Sequence, residues 1–181
     1  GPEVAAIREF LGRGGRVIAM LEPSSDGGLA PVLADFRMEA RFDMVVDASP
    51  LSRQLMLGPA APVVVPTEMT HPITANLSVV GVMMTARTLS TRGDRGAVEV
   101  VPILTAGESA WGETNLDEGL AEHDERDNMD TTVGMVATKS LGQPDSAKLS
   151  DEARLVVFGD SDWVSNKYHG MQGNADLILN T

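Results

Sequence analysis

The run Leu155-Val156-Val157-Phe158 halts at Gly159 and is followed at once by Asp160-Ser161-Asp162, after which apolar residues resume at Trp163 and Val164. An unbroken apolar run of this length suits a strand buried on both faces. Glycine lets the chain turn, and aspartate and serine open helices. A strand that stops at such a turn and feeds a helix is the geometry at which open α/β sheets place their sites, beyond the carboxyl ends of the strands. Similar runs recur upstream: Val17 to Leu21, Met44-Val45-Val46, Val63-Val64-Val65, Val79 to Met84, Val98 to Leu104 and Thr131 to Thr138.

Between these runs lie helical patterns. Val4, Ile7 and Leu11, widened by Phe10, give an amphipathic helix over 3–12, stopped by Gly12-Arg13-Gly14-Gly15. Leu29 to Phe36 and Ala175 to Leu179 read as helices, and Pro72 suits the first turn of another. Apolar runs alternating with helices or loops predict a layered α/β fold with a mainly parallel sheet. Val79–Met84 and Val98–Leu104 add an antiparallel pair, and Val63–Val65, between two prolines, suits an edge. Residues 48–62 and 107–130 read as loops. The glycines at 12–15 sit between helix and strand, the wrong order for a dinucleotide fingerprint. Ser24 to Gly28 follows a strand, but Glu22 and Asp26 oppose an anionic ligand and no Walker lysine follows.

At 181 residues the chain is long enough for one domain with its own core. Gly1-Pro2 reads as the scar of a cleaved tag, so the domain is expected to be a piece of a longer chain. A net charge of −12 repels phosphate backbones and anionic lipid, which argues against a nucleic-acid partner. The absence of cysteine excludes disulfides, a thiol nucleophile and Cys-ligated metal, and leaves the compartment open. The acidic segment 115–130 carries Asp117, Glu118, Glu122, Asp124, Glu125, Asp127 and Asp130, but its spacing is not that of a calcium loop.

Three chemistries compete at the 159–162 turn. As a nucleophile elbow it fails, because Trp163 stands where that tight turn needs glycine. As a site for a hard cation it offers Asp160 and Asp162, two residues apart, with His71 or Asp47 as further donors. As a cap it needs no ligand at all, since Asp and Ser satisfy the orphan N–H groups of a helix start. The three histidines, His71, His123 and His169, share no ligand spacing.

Several stretches together resemble the extracytoplasmic domain of the GldG family, the auxiliary or substrate-binding component associated with ABC-type transport and, in some bacteria, gliding motility. They are EFLGRGGRVIAMLEP (9–23), HPIT (71–74), PILTAGESAWGE (102–113), RLVVFGDSDWVSN (154–166) and GNADLILNT (173–181). The resemblance implies a three-layer α/β/α sandwich, flavodoxin-like or class I glutamine-amidotransferase-like, with a relationship to an intraflagellar transport subunit. It also implies a non-enzymatic domain without cofactor. The parent chain would be anchored by transmembrane helices, face the periplasm or cell exterior, and work beside permease and ATPase subunits.

The leading expectation is therefore a non-catalytic ligand-binding or protein-interaction domain. The expected ligand surface comprises Glu22, Asp47, His71, Trp111, Glu113, Asp160, Ser161, Asp162 and Asn166, where an aromatic beside carboxylates and an amide suits a sugar or another neutral polar ligand. The alternatives are a metal-assisted hydrolase using Asp160 and Asp162 with His71 as base, and a structural scaffold whose acidic surface docks a partner.

Overall fold

The computed structural model describes residues 1–78, 80–94, 96–115, 123–142 and 148–181. In chain order its elements are α1 (Pro2–Gly12), β1 (Arg16–Met20), α2 (Ala30–Asp35), β2 (Met38–Ala40), β3 (Met44–Asp47), α3 (Pro50–Gln54), β4 (Val63–Pro66), β5 (Gly81–Val82), β6 (Leu89–Thr91), β7 (Val98–Ala106), β8 (Ala110–Glu113), β9 (Thr132–Ser140), β10 (Glu152–Phe158) and α4 (Asn174–Asn180). A single 3-10 turn, Asp162–Val164, stands where the sequence suggested a helix after β10.

Among the described residues strand outweighs helix, 32% to 19%, and six strands form one curled mixed sheet in the order β1-β10-β9-β7-β4-β5. β1 and β10 are parallel, with Met20 beside Phe158; every other pairing in this sheet is antiparallel. The expected α/β/α sandwich with a mainly parallel sheet is thus wrong. A parallel connection needs a crossover of a dozen or more residues, usually a helix. The long segments joining β7 to β9 and β9 to β10 instead return the chain antiparallel, and β8 lies within the first of them.

Each long strand alternates between two cores. On β10, Ala153, Leu155 and Val157 pack with Leu11 of α1, Val32, Leu33 and Phe36 of and after α2, and Met38 and Leu89. Val156 and Phe158 point the other way, against Trp163, Leu177 of α4, Ile73, Met83, Val45 and Ala110. Trp163 is fully buried, edge-on to Phe158 with ring centres 4.9 Å apart. One face of the sheet is therefore covered by α1 and α2. The other is covered by α4, the 3-10 turn and the two-stranded antiparallel ribbon β3–β8.

Other local expectations also change. β1 is an edge strand with Ile18 45% exposed, not a strand buried on both faces. β4 is internal, because β5 pairs outside it, and β5 and β7 are not neighbours. Residue 79 of the expected 79–84 strand lies outside the described residues. Pro50 opens a short helix, capped by the Ser49 hydroxyl accepting from Ser52 N at 3.1 Å, inside the stretch read as a loop. The residues around Pro72 form turns rather than a helix.

The outer edge, β5, is closed by a side chain. Asn174 accepts from Val82 N at 2.9 Å and donates back to Val82 O at 2.8 Å, as a neighbouring strand would. Asn174 is 1% exposed, so its removal leaves those backbone groups buried without partners. Asn174→Ala is expected to cost about 2 kcal/mol in urea denaturation, the penalty for orphaned buried polar groups.

Candidate functional site

Because β1 and β10 run parallel and in register, their carboxyl ends open on one rim, where Glu22 meets the 159–162 turn. The Ser161 hydroxyl donates to Glu22 Oε1, and Ser161 N donates to the same oxygen at 3.3 Å. Asp160 is fully buried. Its Oδ2 accepts from Met84 N at 2.6 Å and its Oδ1 from Asp162 N at 2.8 Å. Burial, reinforced by the nearby Glu22 and Asp162 charges, pushes the Asp160 carboxyl up to about 6 against the pull of those two N–H groups. Asp160, not Ser161, thus caps the 3-10 turn, and Ser161 makes no capping bond. Asp162 and Asn166 are exposed at the same turn.

Beneath this rim sits Arg87, a residue that reading the sequence missed. It is 3% exposed. Its guanidinium donates to backbone carbonyls: Glu22 O at 3.0 Å from Nη1, Arg41 O at 2.7 Å from Nε, and Ala40 O at 3.2 Å from Nη2. Its own N–H donates to Gly159 O at 2.8 Å. Burial lowers the Arg87 pKa, with Asp43 and Asp26 opposing. The available signal was a charged residue inside the compact run Val82 to Leu89. Asp43, equally buried, accepts from Thr88 N at 2.8 Å and Thr88 Oγ1 at 2.5 Å, and Asn128 Nδ2 donates to that hydroxyl at 3.0 Å.

The remaining sequence candidates stand apart. Asp47 is on the same rim but over β4, where it accepts from Ser49 N at 2.8 Å and Val63 N at 3.0 Å. Three strand spacings separate β4 from β10, about 14 Å. Glu113 is buried and takes Trp111 Nε1 at 3.2 Å and Asn115 N at 2.8 Å. Trp111, half-buried, meets His123 edge-on at 5.8 Å. His71 accepts from Ile73 N at 3.2 Å through Nδ1. Its pKa is lowered by burial and by the charge of Arg154, near the start of β10 and therefore away from Asp160 beyond its end.

Among the described residues no group of three or more Asp, Glu or His is arranged to hold a metal ion. Three clefts lined by described residues lie elsewhere. The widest, about 450 Å³, is walled by Arg37, Thr91, Val98 and Glu99, and none includes Glu22, Asp160, Ser161 or Trp111. Of the acidic segment, residues 116–122 lie outside the described part. Its described portion is tied by Asp127, which accepts from Asp124 N at 2.7 Å and Thr114 N at 3.2 Å.

A family model described as an ABC-type uncharacterized transport system matches residues 2–181. The chain belongs to that family. As an auxiliary domain of an ABC-type transport system it carries a fold also seen in solved structures. The mmIFT52 N-terminal domain superposes with a TM-score of 0.64 at 17% identity, over 99% of this chain and 71% of that one. A cytoplasmic protein from Salmonella typhimurium superposes with a TM-score of 0.54 at 14% identity, over 98% of this chain and 57% of that one. At such identities the likeness is one of fold alone. Nothing among the curated proteins matches this ABC-type auxiliary domain.

Proposed function

We propose that this domain is a non-catalytic interaction module of an ABC-type transport assembly. In this reading it is carried outside the cytoplasm by a membrane-anchored parent chain of the GldG type, as in gliding-motility systems, and docks onto permease or ATPase-bearing subunits. The observation that supports it is the employment of the buried carboxylates. Both oxygens of Asp160, Asp47, Asp43 and Glu113 already accept hydrogen bonds from the protein itself. Acids so engaged hold loops together and offer little to a substrate. A general base needs a lone pair within reach of the proton it removes, and His71 stands apart from Asp160.

A sugar site at Trp111 draws less support, since Glu113 is buried and already holds the indole and the Asn115 amide. No helix among the described residues is long and apolar enough to cross a membrane.

The test uses the full parent chain co-expressed with ABC-type permease and ATPase subunits from the same genome. Co-purification in detergent is expected, with flat calorimetric titrations of the isolated domain against magnesium, calcium and zinc. Heat on metal addition that disappears in Asp160→Ala would reinstate metal-assisted hydrolysis, and a parent chain that purifies alone would remove the docking reading.

A further inference from the structure

The ribbon β3–β8 has two unlike faces. Val45 pairs with Gly112, and Gly112 bridges on to Asn128, so three backbone segments lie side by side. Side chains alternate across such a surface. Val45 and Ala110 point inward, at 0% and 2% exposure, with Gly112 closed against the Asp43 carboxylate, on which a Cβ would land at 2.5 Å. The opposite face carries the buried Val46 and Glu113, the half-buried Met44 and Trp111, and Met129 from the third segment. Phe42 flanks this face, next to Asp43. Phe42 is 70% exposed and Met129 61%. Trp111 is half-buried, its indole held by Glu113 and its ring met by His123, whose Nε2 lies 3.1 Å from Met129 Sδ.

A tryptophan held in place beside an exposed methionine, with an exposed phenylalanine at the end of the same ribbon, is the composition of a binding hot spot. Aromatic residues and Met are enriched at interface centres, and a side chain already held in place loses little entropy on binding. Its surroundings are mainly acidic, although exposed Arg41 stands beside Phe42. Glu125 and Asp130 are exposed, Asp127 is half-buried, and Asp124 is paired with Arg126. A second copy would bring like charges together, in a chain of net charge −12, and an anionic membrane would meet the same repulsion. Opposite charge is what this surface accommodates.

We propose that this outer face docks a protein segment bearing apolar anchors flanked by lysine or arginine, supplied by a partner subunit of the transport assembly. The inference rests on the docking function above and names the face and the chemistry of the partner. Phe42, Trp111 and Met129 supply the apolar contact, and the acidic surround steers the basic segment and makes association fall with salt.

The decisive experiment compares full parent chains carrying Phe42→Glu with Met129→Glu, Glu125→Lys, or Leu179→Glu, the last changing an 83% exposed residue on α4. The readouts are co-purification with the permease and ATPase subunits at 50 and 500 mM salt, and the peptide captured by a photo-crosslinker at position 42. The expected result is at least a tenfold loss of association for the double variant, a smaller loss for Glu125→Lys, none for Leu179→Glu, weakening at high salt and a Lys/Arg-rich crosslinked peptide. Unchanged co-purification of the double variant would overturn this face while leaving the docking function standing; a wild-type chain that captures no subunit would overturn both. Capture of an acidic peptide, or vesicle binding that the double variant abolishes, would overturn the proposed partner.

Discussion

Gly159→Ala is expected to cost about 4 kcal/mol or more, enough to leave a domain of ordinary stability largely unfolded. A Cβ at this position would lie 2.0 Å from Arg87 O and 3.1 Å from Arg87 C, a backbone obstacle that no rotamer change relieves. The two segments cannot part freely, because Arg87 N donates to Gly159 O while Gly159 N is held by Val133 O of β9, both at 2.8 Å. Separating them would also pull the Arg87 guanidinium from the three carbonyls it satisfies. Gly170→Ala, whose added Cβ meets nothing within 4 Å, serves as the control and is expected to shift stability by no more than about 0.5 kcal/mol. Urea denaturation followed by the fluorescence of buried Trp163 reads both. A Gly159→Ala protein as stable as the control would show that the segment 84–87 is not clamped against the end of β10.

That close approach explains what reading the sequence found and missed. Gly159 reads as a strand terminator, and it does end β10; nothing in its spacing reveals the chain crossing at Arg87. Glu22 and Ser161 are legible as neighbours because both follow apolar runs, and parallel adjacent strands bring such ends to one rim. Strand direction was not legible. Runs such as Val133 to Ala137 are buried on both faces of this sheet although both its neighbours are antiparallel. Continuous burial therefore mimicked the signature of a parallel strand. The ribbon β3–β8 escaped for a related reason: Ala110 to Glu113 is short, polar at one end and interrupted by glycine, so pairing decides its structure more than propensity does. His71 was grouped with the rim by chemistry alone, and only the topology shows it nearer the other end of β10.

Asp160 should contribute a component of stability that falls as pH rises from about 4 to about 6. Its carboxyl titrates at about 6 in the folded chain against an ordinary value of 3.8, so between those limits the folded state binds the extra proton. Stability declines with pH wherever the native state holds more protons than the unfolded one. Below the lower limit both states are protonated, above the upper limit neither is, and the full difference is about 3 kcal/mol. The direction follows from the site. Asp160 is sealed from solvent beside Glu22 and Asp162, and two backbone N–H groups recover only part of what burying its charge costs. Asp160→Asn removes the ionisation and keeps a similar shape, so its stability profile should lack this component whatever its absolute value. Subtracting the two urea-derived profiles cancels the other carboxylates, and the difference should step downward with a midpoint between pH 4 and 6. A difference that is flat, or that rises with pH, would mean that Asp160 ionises easily where it stands. The rim would then be open to water, and carboxylates that otherwise serve as internal ties would be free to meet a ligand.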